Sequence, residues 1–195
     1  MNGTSSLKTA SKAFPTEWSL SWVEALLLIG GGVMAVVLHR ALDTSLGLPG
    51  HHGIEWMAIM ILGRASSKFR GAGTLTSMGA SFASVLPFLH GDNPFTWVYY
   101  LLPGPVMDLA FRYLPRYANK IWFMVLLGGF AHMTKPIGQV SVNLLTGWPI
   151  GSFRFGIVYP FASHLLFGMI GGLLGALVVL GIRHASKKSS NKDER

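Results

Sequence analysis

Apolar residues run through this chain in six long blocks, separated by short polar stretches. A membrane-spanning helix needs about 20 mainly apolar residues, within about 17–25. On that measure the blocks predict helices over Ser19–Leu38, His51–Ala65, Gly71–Leu89, Phe95–Tyr113, Ile121–Val142 and Phe155–Ile182. The second is the shortest, and is either a tilted span or a re-entrant half-helix. The fourth contains Pro103-Gly104-Pro105, and a proline inside a helix removes a hydrogen bond and kinks it. Residues 1–18 are polar, with Phe14 and Trp18 suited to an interface, and lack the small-residue cleavage site of a signal peptide. Beyond Arg183, residues 184–195 are charged and read as a tail without fixed structure.

Composition turns the blocks into a class. Half of the 195 residues (50%) are hydrophobic and 12% are charged, against about 25% charged in an ordinary soluble domain. Mean hydropathy is +0.44. These values predict an all-α polytopic membrane protein, a six-helix transmembrane domain over residues 19–183 with both termini in the cytosol. The chain has no Cys, which excludes a disulfide scaffold, a cysteine zinc site and a thiol enzyme.

The net charge of +8 needs a membrane explanation, because the basic residues are scattered between apolar runs and form no nucleic-acid patch. Six spans put 13 of the 16 basic residues on one side. These lie near Lys8 and Lys12, in the loops Arg64–Arg70 and Arg112–Lys120, and from Arg183 onward. The positive-inside rule assigns that side to the cytosol. Arg40, Lys135 and Arg154 are the exceptions.

Ionisable groups at membrane depth are costly and mark function by default. In the fifth block His132, Lys135, Gln139 and Asn143 recur at helical spacing and share one face. Pro136 and Gly138 interrupt the same helix and can free backbone carbonyls. The stripe reads as a binding site, against a snorkelling Lys135 and a His132 that merely bonds a neighbouring helix. The sixth block opens with Arg154, Tyr159, Ser163 and His164. Lys135 and Arg154 suit an anionic ligand, although Arg154 serves equally as an interfacial anchor. The first outer loop reads His51-His52-Gly53-Ile54-Glu55, and His90 and Asp92 lie in another. His51, His52, Glu55 and His90 are a metal alternative without a recognised spacing. Hydrogen bonding to an organic ligand or closing a lid are the other uses. Trp97 and Tyr100 belong to an aromatic belt or stack on a flat ligand. Asp108 and Arg112 are spaced to pair along one helix. Small residues at four-residue spacing, Gly31–Ala35, Gly79–Ala83, Gly168–Gly172 and Gly171–Gly175, either pack the bundle or dock another subunit.

No phosphate-binding G-x-x-x-x-G-K-[ST] loop occurs, so this chain is not expected to hydrolyse ATP. Small size, six spans, both ends inside and the Gly31–Ala35 pair together resemble the substrate-capture (S) component of an energy-coupling factor transporter. The resemblance implies an uptake subunit, without a cofactor of its own, that captures a vitamin or related micronutrient from the outer side. It implies a prokaryotic-type cell membrane, a transmembrane coupling subunit contacted through Gly31 and Ala35, and two ATPase subunits. It lines the pocket with Trp97, Tyr100, His132, Lys135, Gln139, Asn143, Tyr159, Ser163 and His164, under a lid at His51–Glu55. Nickel and cobalt members carry a His behind the first Met, where this chain has Asn2. Two other classes compete: a haem-binding electron-transfer subunit with His132 and His164 as axial ligands, and a structural subunit of a larger membrane complex.

Overall fold

A computed structural model of the chain describes residues 14–42, 48–89, 93–150, 153 and 156–193. The described residues form α-helices with no strand: α1 (Trp22–Leu42), α2 (Gly53–Ser66), α3 (Ala72–Ser84), α4 (Thr96–Leu101), α5 (Pro103–Tyr113), α6 (Ile121–Thr146) and α7 (Val158–Asp193). Two of them are long and apolar enough to cross a membrane, α1 and residues Val158–Ser189 of α7.

Every predicted block holds a helix, with three differences. The fourth block is two helices, α4 and α5, which meet at Leu102. Leu102 keeps helical dihedrals and donates its N–H to the carbonyl of Val98. The break is therefore a kink, placed where Pro103 and Pro105 can donate no hydrogen bond. The third helix stops at Ser84 rather than Leu89. Pro87 lies just beyond, and a proline disfavours helix at the residue before it. The charged tail is a correction, because α7 continues helically to Asp193. No Gly or Pro follows Gly181 to stop it, and Arg183 is tied to Asn119 Oδ1 at 2.9 Å and to the Ala65 carbonyl at 2.8 Å.

The shortest predicted span is the centre of the bundle. Helix α2 touches α1, α3, α5, α6 and α7. Its 14 residues rise about 21 Å, less than a bilayer core of about 30 Å. Trp56, Met57, Met60, Ile61 and Ala65 on it are all buried.

Helix α7 lies between α6 and α2, and its glycines permit both contacts. A Cβ at Gly168 or Gly172 would stand 2.6 Å from the carbonyl oxygens of Gly128 and Met124 on α6. A Cβ at Gly175 would stand 2.6 Å from the Ala58 carbonyl on α2. Gly79 abuts the Ile29 carbonyl, and Gly32 abuts Thr76, so α1 and α3 approach in the same way. These small residues pack the bundle internally. Of the predicted partner-contact pair, Ala35 is buried and Gly31 half-buried, with Ile59 of α2 3.8 Å from a Cβ placed there. The face that α1 exposes runs instead through Leu26, Leu27, Gly30, Met34 and Val37.

Several of the described basic residues, Arg64, Lys68, Arg70 and Arg183 among them, collect at one end, away from Arg40 and Lys135. Phe14 packs edge-on against Phe111, and Glu17 pairs through its backbone with Lys68 and Arg70. Arg64 is fully buried there, with Nε 3.0 Å from Asp108 Oδ1 and the guanidinium 4.4 Å from the Phe111 ring. Asp108 also accepts from the N–H groups of Gly73 and Thr74 and from the Thr74 hydroxyl. This corrects the predicted Asp108–Arg112 pair: Asp108 faces across the bundle to α2, and the Arg112 guanidinium lies 5.7 Å from the Tyr113 ring. Glu24 of α1 accepts from Ser67 Oγ at 2.6 Å.

Candidate functional site

The opposite end of the bundle carries a polar cavity of about 300 Å³. Val36, His39 and Arg40 from the end of α1 form one wall. Leu89 and Asn93 close it, and Thr96, Tyr99 and Tyr100 of α4 face Lys135 and Gln139 of α6 across it. Lys135 is half-buried, with Nζ 6.0 Å from the centre of the Tyr100 ring. Gln139 Oε1 is buried with no hydrogen-bond partner. Arg40 is oriented by a 3.2 Å bond to the Leu89 carbonyl.

Histidines surround this cavity. The His39 and His52 rings meet edge to face with centroids 3.5 Å apart, and His51 and His52 lie 3.6 Å apart. Glu55, in the first turn of α2, approaches both His39 and His52. Beneath the loop, His132 and His164 are buried with ring centroids 4.7 Å apart. Two glycines let the loop descend onto them: a Cβ at Gly53 would strike the His132 ring, and one at Gly50, which has φ +79°, would come within 2.8 Å of His164. Trp56 connects the layers, edge-on to both Tyr100 and His132.

Three of these imidazoles share one hydrogen-bonding pattern. Nδ1 of His51 donates to the Leu48 carbonyl at 2.6 Å, Nδ1 of His132 to the His164 carbonyl at 3.0 Å, and Nδ1 of His164 to the Pro160 carbonyl at 2.7 Å. A carbonyl only accepts, so each ring in this neutral form carries its proton on Nδ1. Each Nε2 is then a lone pair, and all three are buried without a partner. Trp56 Nε1 adds an unpaired donor.

Of the predicted stripe, Lys135 and Gln139 reach the cavity and His132 lies below it. Asn143 does not reach it; its side chain donates to the Trp148 carbonyl at 2.8 Å, and α6 ends at Gly147, whose φ of +73° is the left-handed cap geometry. Ser163 is bonded to its own helix at the Pro160 carbonyl. Tyr159 is partly exposed on the first turn of α7. Trp97 faces another groove, apolar and about 550 Å³, with Met78, Phe82 and Leu101. Arg154, His90 and Asp92 lie outside the described residues. The sequence reading missed His39, Asn93 and Trp56. The signal for His39 was its place one residue past the predicted end of the first span, where it emerges beside the His51–His52 loop.

Chemically, the arrangement offers lone pairs and cations on one wall system. Nδ1 of His39, Nδ1 of His52 and the Glu55 carboxylate are a possible metal-ligand group, their donor atoms all within 4.8 Å of one another. Compared with known proteins, the chain matches no family model, no curated protein and no solved structure.

Proposed function

We propose that this chain is a six-span substrate-capture subunit of a micronutrient uptake transporter, resident in the cell membrane. On this reading it takes a small molecule from the outer side into the cavity between His39, Tyr100 and Lys135. It passes that molecule to a transmembrane coupling subunit and two ATPases. The observation that carries the reading is the placement of polarity. One end holds a cavity with a half-buried Lys135, an unpaired Gln139 oxygen and unpaired imidazoles. The flanks expose large apolar side chains such as Leu27, Phe82, Phe130 and Leu166. Unpaired buried polar atoms cost free energy unless something binds them, and a broad apolar flank suits lipid. The gathering of several basic residues at the other end supports an outward-facing cavity.

The test is mass spectrometry of small molecules released from the purified chain on denaturation. A retained small molecule, lost or weakened about tenfold or more in Lys135→Ala, is the expected result. Retention of nothing, together with a stable partner that is not linked to an ATPase, would favour a purely structural subunit.

A further inference from the structure

Two imidazoles and a carboxylate converge beside the cavity, on the wall that His39 forms. Glu55 Oε1 lies 3.5 Å from His39 Nδ1 and 3.4 Å from His52 Nδ1. A charge-assisted N–H···O bond runs about 2.7–2.9 Å, so both separations are longer than a full-strength bond between these groups. His39 Nδ1 is buried and has no hydrogen-bond partner at all. The spacing fits a different object. Nitrogen and oxygen ligands stand about 2.0–2.2 Å from a tetrahedral zinc-like ion, which separates neighbouring ligand atoms by about 3.3–3.6 Å. Two edges of such a polyhedron are already in place, and they join the end of α1, the loop before α2 and the first turn of α2.

The loop that delivers His52 is also held. His51 donates to the Leu48 carbonyl, and Gly50 sits on the His164 ring. Two imidazoles and one carboxylate suit a first-row divalent ion and leave a coordination position open.

The charges around the site say what fills that position. The three ligands bring one negative charge to a dication. Arg40 and Lys135 line the same cavity as His39. A bare dication beside two cations is poorly neutralised. A carboxylate on the open position removes the deficit, and a second carboxylate on the same molecule meets Lys135.

We propose that His39, His52 and Glu55 hold a divalent transition-metal ion, and that its open position takes a carboxylate-bearing small molecule also gripped by Lys135. This rests on the cavity being the capture site, and it names the class of molecule captured: an anionic metal chelate.

The test uses the full chain in detergent, with no polyhistidine tag and with metal stripped by a chelator. Titration with Co²⁺ reads the geometry directly, by intense visible absorption for a four-coordinate ion. One ion per chain with that spectrum is expected, and a weak six-coordinate spectrum or no saturable binding overturns the proposal without any variant. His39→Ala, His52→Ala and Glu55→Gln should each weaken binding about tenfold or more, and His184→Ala, on the exposed far end of α7, should not. Equal affinity in all four variants overturns the assignment. Glu55→Gln preserves shape, so its loss cannot be blamed on folding if its elution and tryptophan-fluorescence melting match the parent chain. Citrate is the second probe. It should bind at least tenfold more tightly with Zn²⁺ present, and that gain should fall in Lys135→Ala. Citrate affinity indifferent to Zn²⁺ overturns the bridging carboxylate. A metal-free chain that retains an organic molecule and takes up no Co²⁺ would overturn the metal and leave the capture reading standing. A chain that binds Co²⁺ tetrahedrally but never retains citrate or any other small molecule would support the ion and overturn both the carboxylate and the capture reading.

Discussion

At the basic end of the bundle a half-buried carboxylate is well supplied with partners: Asp108 accepts from two backbone N–H groups and the Thr74 hydroxyl, and its Oδ1 forms an ion pair with Arg64 Nε at 3.0 Å. The buried side-chain atoms left without a hydrogen bond at that end are guanidinium nitrogens, Nε and Nη2 of Arg64 and Nε of Arg70, whereas at the opposite end most of them are neutral acceptors. His51, His132 and His164 each keep an unpaired Nε2, Gln139 an unpaired oxygen and Trp56 an unpaired N–H. Both ends bury polar side chains, and both draw them from several helices. The difference is in what completes them. The Asp108 carboxylate is completed by the chain itself, which makes that end a structural clamp between α2, α3 and α5. The histidine end has lone pairs left over, which is the state expected of a site that something else completes.

That comparison breaks most sharply on sidedness. The chain has no Cys, so single cysteines report cleanly. Cysteines in place of the exposed Ser66 and Leu48, at the two ends, should label from opposite faces of sealed vesicles. Labelling from one face alone would remove the outward-facing cavity and the second span together. Next in size is the clamp. Asp108→Asn leaves the Arg64 charge buried beneath Phe111, and loss of one partner from a buried pair costs about 3–5 kcal/mol. Thermal unfolding in detergent, followed by tryptophan fluorescence, should show it as a large fall in Tm. Lys135→Ala, in the cavity, should leave Tm nearly unchanged and act on binding. If Lys135→Ala destabilises as much as Asp108→Asn, the histidine end is a second structural clamp.

How far this division was legible beforehand depends on whether a residue's partner was local. Helix existence followed from the length of apolar runs, a local property. The stripe His132, Lys135 and Gln139 was found because helical spacing puts it on one face. The same rule overreached by one turn at Asn143, because Gly147 ends the helix and turns that side chain to the Trp148 carbonyl. It overreached again at Asp108, where a nearby Arg112 looked like the partner but Arg64, 44 residues earlier, wins because it is buried against Asp108 and Arg112 is exposed. Contacts of that kind are set by packing, and periodicity carries no record of them. His39 escaped for the same reason, since nothing near it in sequence announces His52 and Glu55. The tail beyond Arg183 was misjudged from composition, when the absence of Gly and Pro was the better guide to a helix that runs on.

A smaller effect sharpens the contrast at the histidine end. Gly53→Ala adds a single methyl where the loop rests on the His132 ring. Overpacking of this kind costs about 1–3 kcal/mol, less than the loss of Asp108. The methyl can be accommodated only if the loop lifts or the ring turns away from the His164 carbonyl. Either movement shifts His52 or His132 relative to Lys135, so ligand affinity should fall by a larger factor than stability. Gly175→Ala offers the matched control. Its methyl meets the Ala58 carbonyl and Ile61 on α2, away from the cavity, with a comparable close approach. It should lower Tm by a similar amount and leave affinity intact. Equal losses of affinity in the two variants would mean that the glycines act on the bundle as a whole, and that the loop has no separate hold on the site.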